Sequence, residues 1–215
     1  MKAIIFDLDG VIVSTDEYHY LAWKQLADEE NIPYSREVNM GQRGVSRMES
    51  LEVMLKNTDQ AYTDEQKLEM ASRKNGYYVE LIKNINPTDK LEGVDSFLAD
   101  LKEKGIKCAI GSSSKNAMPI LRSIGMADFF DAVADGTKIT NSKPDPEVFL
   151  LAAKLLDIVP EDCVVVEDAN SGVEAAIACG MKVIAVGAAK DNSKADICVS
   201  NLSELKIEDT LKRLT

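Results

Sequence analysis

The stretch Ala3-Ile4-Ile5-Phe6-Asp7-Leu8-Asp9-Gly10 decides how the chain is read. Four apolar residues in a row, with no polar alternation, mark a strand covered on both faces, as inner strands of parallel sheets are. The strand then breaks into two aspartates one residue apart and a glycine. Runs of the same kind recur at 106–110, where Lys107 is the one polar residue, at 163–166, at 183–186 and, more weakly, at 197–199. Helical spacing separates them: Val94, Phe97, Leu98 and Leu101 closed by Gly105; Val148, Leu151, Ala152 and Leu155 opened by Asp145-Pro146; Val173, Ala176 and Ile177 closed by Gly180. Strand alternating with helix predicts an α/β fold, a doubly wound parallel sheet.

One interval is too long for that plan. From Asp9 to Ile106 the chain spends about a hundred residues where a crossover with its helix needs roughly a dozen. Apolar periods predict helices over 18–30 (Leu21, Trp23, Leu26, Ala27), 48–55 (Leu51, Met54, Leu55) and 64–83, with no strand of comparable quality. The expectation is an all-helical domain over 14–88, inserted into a core domain formed by 1–13 and 89–215.

Composition narrows the partners. Across 215 residues, 25 Lys and Arg stand against 36 Asp and Glu, a net charge of −11. That field repels nucleic acid and anionic membrane surfaces, so neither is expected as a partner. The segment from Met1 to Asp7 meets charge before a signal core forms, and no apolar run approaches the ~20 residues of a membrane span, which points to a soluble, cytoplasmic protein. Cys108, Cys163, Cys179 and Cys198 are widely spaced, without a C-x-x-C, and read as reduced thiols. With His19 the sole histidine, no His/Cys cluster is available for zinc, and a metal here must be held by oxygen. No exposed apolar stripe is legible, so a monomer is the default expectation.

In open parallel sheets ligands bind beyond the carboxyl ends of the strands. There the chain carries Asp7-Leu8-Asp9-Gly10, Ser112-Ser113-Ser114-Lys115-Asn116, Ser142-Lys143-Pro144 and Glu167-Asp168. Singly, each has an ordinary reading: a turn, a strand-end turn with Asn116 as a helix cap, a surface lysine, an acidic helix start. Together they bring four carboxylates to one edge, where like charges repel or protonate unless a cation sits among them; Mg²⁺ is the economical choice.

These four segments, in this order, resemble the motifs of the haloacid dehalogenase superfamily, and the D-x-D form is similar to its Mg²⁺-dependent phosphotransferases rather than its dehalogenases. The insertion narrows the likeness. Asp9-Gly10-Val11-Ile12, Thr15, Glu17-Tyr18-His19, Ala22-Trp23, Gly44-Val45-Ser46-Arg47 and Arg73-Lys74-Asn75 resemble the β-phosphoglucomutase family. Ser14 departs from it, standing where an Asp is usual, and Ser113 stands where Ala is common. The resemblance implies Asp7 as nucleophile and Asp9 as general acid and base. It implies Mg²⁺ held by Asp7, the Asp9 carbonyl and Asp168, with Glu167 as ligand or one shell behind. Ser112 and Lys143 are expected on the transferring phosphoryl group, with Ser113 beside them; Arg47 and Asn116 on the other phosphate; Thr15, His19 and Lys74 on the sugar or the region round Asp9. A small-molecule sugar phosphate is the implied partner. The implied reaction is the interconversion of β-D-glucose 1-phosphate and glucose 6-phosphate; a sugar-phosphate or phosphoglycolate-type phosphatase is the alternative on the same motifs.

Overall fold

The computed structural model of the chain describes residues 1–42 and 45–214. In chain order, β1 (Ala3–Phe6) is followed by α1 (Asp16–Glu29), α2 (Arg36–Met40), α3 (Arg47–Leu55) and α4 (Asp64–Leu81). Then come α5 (Val94–Glu103), β2 (Lys107–Gly111), α6 (Ala117–Ser123), β3 (Ala132–Ala134) and α7 (Glu147–Leu156). The chain finishes with β4 (Cys163–Glu167), α8 (Asn170–Ala178), β5 (Lys182–Ala185), β6 (Ile197–Cys198) and α9 (Ile207–Leu214). It divides into two compact units, Met1–Ser14 with Asn86–Thr215, and Thr15–Ile85.

In the first unit the strands form one parallel sheet in the order β3-β2-β1-β4-β5-β6. Sequence neighbours run outward in both directions from β1, so β1 sits where the strand order reverses, which is where doubly wound sheets bind ligands. Ile5 pairs with Ala109 on one side and Val165 on the other, and all four β1 residues are fully buried. Alternation assigns the faces. Ile5, Ala109 and Val165 pack with Val148, Phe149 and Val173. Phe6 on the opposite face meets Phe97 and Phe130, each with ring centroids 6.3 Å away. The continuous apolar runs are therefore the signature of burial on both sides.

The breaks between the units fall at Ser14/Thr15 and Ile85/Asn86 rather than at 13/14 and 88/89. Local hydrogen bonding explains the difference. Val13 pairs with both Asp9 and Lys90, and the Leu91 N–H donates to the Ile12 carbonyl at 2.9 Å, tying both passages to the sheet unit. Asn86 and Asp89 cap the short 3₁₀ turn Pro87–Asp89, so the new unit starts with its cap.

Among the described residues of Thr15–Ile85 no strand occurs. Its core gathers Trp23, Leu26, Ala27, Ile32, Leu51 and Met54, with Met70 and Ala71 from α4. Two capping boxes set its helix starts: Ser46 with Glu49 for α3 and Thr63 with Gln66 for α4. Helix α1 starts two residues before the expected 18, with Asp16 and Glu17 supplying negative charge to its first turn. Helix α4 stops at Leu81 rather than 83, and Ile82–Asn84 continues as a 3₁₀ turn. β3 and α2, three and five residues long, have no counterpart in the sequence reading, because neither is long enough to show a period. Among the described residues, no helix is long and apolar enough to cross a membrane, and all four cysteines are free.

Candidate active site

Asp7 follows β1 directly, its N–H donating to the Val166 carbonyl of β4 at 2.9 Å. Its two oxygens are claimed from different directions: Oδ2 accepts the Asp9 N–H at 2.9 Å and Oδ1 accepts Lys143 Nζ at 2.5 Å. The same ammonium donates to Glu167 Oε1 at 2.5 Å, and the Phe149 ring lies 4.7 Å from it. Lys143 and Glu167 are each 1% exposed in their side chains, and Asp7 10%. The ordinary reading of Lys143 as a surface lysine does not hold, since the residue is buried. The cation between Asp7 and Glu167 is the protein's own lysine.

Electrostatics follow from that enclosure. Burial pushes the Asp7 carboxyl up to about 7; Lys143 opposes the rise, while Glu167 and Asp9 add to it. Burial would lower the Lys143 ammonium, but Asp7 and Glu167 outweigh it and hold the group above its ordinary value. Each Glu167 oxygen accepts a hydrogen bond, Oε1 from Lys143 and Oε2 from the Ala169 N–H at 2.8 Å. Gly172 makes room for it: a Cβ there would lie 1.8 Å from Glu167 Oε1.

Asp168 is half-buried and lies against the Asp7-to-Gly10 turn. A Cβ on Gly10 would fall 2.1 Å from Asp168 Oδ2, and Gly10 has φ +76°, a conformation that glycine adopts without strain. Glycine is thus required twice at this point, by dihedral and by space. The donor set round this turn is oxygen only, which suits a hard cation. Among the described residues no three His, Cys, Asp or Glu side chains are grouped so as to hold a metal by themselves. Of the four carboxylates expected at this edge, Glu167 is turned to Lys143 and Asp168 lies against Gly10. Mg²⁺ fits such a site, because it takes one or two carboxylates and completes its shell with carbonyl, water or phosphate oxygen.

The loop after β2 is built on its own serines. Buried Ser112 accepts the Ser114 N–H at 3.1 Å through Oγ, and Ser114 Oγ accepts the Asn116 N–H at 3.1 Å. Ser113 Oγ is buried without a hydrogen-bond partner among the described residues. Asn116 stands at the start of α6, although its side chain makes no capping bond there. A Cβ on Gly136 would lie 2.2 Å from the Ser113 carbonyl, so a glycine lets β3's following turn pack against this loop.

The remaining expected site residues lie in the helical unit. Thr15 is buried and accepts Tyr78 Oη at 3.2 Å. Lys74 is buried, with Nζ 2.8 Å from His19 Nδ1 and lying over the rings of Trp23 (5.0 Å) and Tyr78 (4.6 Å). His19 also stacks on Tyr78 with centroids 4.1 Å apart. Arg47 opens α3 and is half-buried, and burial lowers its pKa. Among the described residues it forms no ion pair, although the chain has a large excess of carboxylates. Gly44, part of the same motif run, lies outside the described residues.

Comparison with known proteins agrees with this geometry. The haloacid dehalogenase-like hydrolase model matches residues 1–180. A β-phosphoglucomutase of Bacillus subtilis is 44% identical over 210 residues, covering 97% of this chain and 93% of that protein. A phosphorylated carbohydrates phosphatase of Thermotoga maritima is 34% identical, covering 86% of this chain and 84% of that protein. The crystal structure of a β-phosphoglucomutase from Clostridium difficile superposes with a TM-score of 0.94 at 41% identity, covering 100% of this chain and 97% of that one. With the D-x-D turn, the buried lysine and the helical unit all present, the chain belongs to the haloacid dehalogenase-like hydrolase family, and within it to the β-phosphoglucomutases.

Proposed function

We propose that the enzyme interconverts β-D-glucose 1-phosphate and glucose 6-phosphate through β-glucose 1,6-bisphosphate, with Asp7 carrying the phosphoryl group in transit. The observation that supports this reading above all is the Asp7 carboxylate itself: buried, aimed by the Asp9 N–H, and neutralised by Lys143.

In the first half-reaction an Asp7 oxygen attacks a phosphorus of the bisphosphate. The bond from phosphorus to the sugar oxygen breaks, and that oxygen takes a proton from Asp9. In the second, a sugar hydroxyl attacks the aspartyl-phosphate, gives its proton to Asp9, and Asp7 is released as carboxylate. Asp9 suits the proton because the turn sets its N–H on the Asp7 carboxylate, so the two residues are adjacent, and because it is only half-buried. Lys143 offsets the repulsion between a phosphoryl group and Asp7, and Glu167 keeps the lysine in place. Ser112 and Ser113 hold phosphoryl oxygens, Ser113 with the hydroxyl that has no partner among the described residues.

Asp7, the Asp9 carbonyl and Asp168 would hold Mg²⁺, which when bound supplies positive charge against the phosphoryl oxygens. Glu167, with both oxygens engaged, belongs behind that set, orienting Lys143. Arg47 holds the phosphate that is not being transferred, assisted by Asn116; a half-buried guanidinium that pairs with no carboxylate among the described residues suits an anion from outside. Lys74, His19 and Thr15 serve the sugar and the Asp9 region as a pre-assembled group.

The Thermotoga maritima relative favours a second reading, a sugar-phosphate phosphatase in which water replaces the sugar hydroxyl. Phosphorus NMR separates the two. With Mg²⁺, β-glucose 1-phosphate and a trace of the bisphosphate, glucose 6-phosphate should appear much faster than inorganic phosphate; phosphate release matching substrate loss would establish the phosphatase.

A further inference from the structure

Tyr34, Asn39, Gln42 and Ser50 form a polar chain inside the helical unit that no step above uses. Gln42 is 8% exposed, and its Nε2 donates to the Ser50 carbonyl at 2.8 Å. A carbonyl can only accept, so this bond fixes which way the amide faces and turns Oε1 toward Tyr34. Tyr34 Oη lies 2.5 Å from Gln42 Oε1 and 2.9 Å from the Asn39 amide oxygen position. One hydroxyl carries one proton. That proton goes to Gln42, whose orientation is already set, so Asn39 must present its NH₂ to the tyrosine oxygen. The chain then has a single direction, Asn39 to Tyr34 to Gln42 to Ser50, with every donor directed toward α3. Burial raises the Tyr34 pKa, keeping the phenol a donor.

Tyr34 is itself anchored. Its ring stacks on Tyr20 of α1 with centroids 5.8 Å apart and planes at 26°. The Arg36 guanidinium lies 3.6 Å over the other ring of that pair, Tyr20, and is gripped by Glu17 at 2.6 and 2.9 Å. The other end of the chain reaches the first turn of α3, whose opening residue is Arg47. Ser46 and Glu49 fix where that helix starts, but a capping box is local and does not fix where the helix sits. The Gln42 bond to the Ser50 carbonyl ties the backbone of that first turn, which Arg47 opens, to the segment before it.

We propose that Tyr34 and Gln42 are positioning residues that set Arg47 through the first turn of α3, and so determine how well the second phosphate of a sugar bisphosphate is gripped. This rests on the assignment of Arg47 above. The two rings and their salt bridge act as the fixed end, and the directed hydrogen bonds transmit its position to the guanidinium.

Steady-state kinetics with glucose 1,6-bisphosphate as the varied primer test this, using Tyr34→Phe alone and in an Arg47→Ala background. Phenylalanine keeps the stack on Tyr20 and removes the hydroxyl, and with it the bonds to both Gln42 and Asn39. The KM for the bisphosphate should rise about tenfold with kcat changed less than about twofold, a split that general loosening of the fold would not produce. In the Arg47→Ala background the same change should have no further effect, since residues acting through one group are not additive. Gln42→Glu, which puts an acceptor against the Ser50 carbonyl, should repeat the pattern and serves if Tyr34→Phe folds poorly. Equal effects of Tyr34→Phe in both backgrounds, or none in either, would overturn the positioning role while leaving Arg47 as the grip. An Arg47→Ala enzyme with unchanged KM would instead remove the assignment on which the proposal stands.

Discussion

Replacing Lys143 with methionine should be the most damaging single change to the sheet unit that leaves its shape intact. Methionine keeps most of the aliphatic stem and its contact with Phe149, so the loss is electrostatic. The lysine makes two contacts of 2.5 Å to carboxylates in surroundings from which water is nearly absent, with side-chain exposures of 1% for Lys143, 10% for Asp7 and 1% for Glu167. Removing one partner of a buried ion pair costs roughly 3–5 kcal/mol because the other charge is left uncompensated. Here two carboxylates are left facing each other. For a chain of this size about 1 kcal/mol corresponds to ~2–4 °C, so the midpoint should fall by roughly 6–20 °C. Thermal unfolding in EDTA isolates this effect from any bound cation. Adding Asp7→Asn to Lys143→Met should recover part of the loss, since one of the two unpaired charges is gone. A Lys143→Met midpoint within 2 °C of the parent, or strict additivity in the double variant, would refute the view that this lysine is the internal counter-ion.

Asp7→Asn should abolish phosphoenzyme formation, whereas Asp9→Asn should still bind ligand and lose a factor of roughly 10²–10⁴ in turnover, read by rapid-quench kinetics. Chelation with EDTA should silence the enzyme and Mg²⁺ restore it, and Asp168→Asn should mimic the chelator; full activity after exhaustive dialysis against EDTA would contradict the metal assignment. Gly172→Ala, a change that normally favours a helix, should destabilise by about 1–3 kcal/mol, because its Cβ would fall 1.8 Å from Glu167 Oε1 and force that carboxylate off Lys143. Arg47→Ala should reduce isomerisation ten- to 150-fold, the equivalent of about 1.5–3 kcal/mol for one charged hydrogen bond to phosphate, and should affect hydrolysis of acetyl phosphate far less.

The sheet was legible because β1 and the stretches 108–110 of β2, 163–166 of β4 and 183–185 of β5 are buried on both faces, and burial on both faces writes itself as an unbroken apolar run. β3 was not, since Ala132–Ala134 pairs only with β2 and carries nothing larger than valine. The order of the motifs placed Asp7, Ser112, Lys143 and Glu167 at strand ends, but not what they do to one another. Lys143 reaches Asp7 across 136 positions of sequence and Glu167 across 24, and no local pattern reports such a contact. For the same reason nothing in the sequence reports that Lys74 is buried and bonded to a histidine 55 residues away. The Tyr34 chain escaped notice altogether. Its members lie in short irregular segments round α2, where spacing carries no information and only the directions of hydrogen bonds reveal a design.

The measurement that bears most directly on the whole account is the location of the phosphoryl group on the enzyme. Acid-quenched protein that has turned over a sugar phosphate or acetyl phosphate in the presence of Mg²⁺ can be digested and mapped by mass spectrometry. The account predicts one acid-stable, base-labile phosphoryl group on the peptide that contains Asp7, absent from the Asp7→Asn variant and accumulating when transfer to the sugar is slowed in Asp9→Asn. A phosphoryl group found on Ser112 or any other residue, or an active enzyme that never carries one, would contradict it.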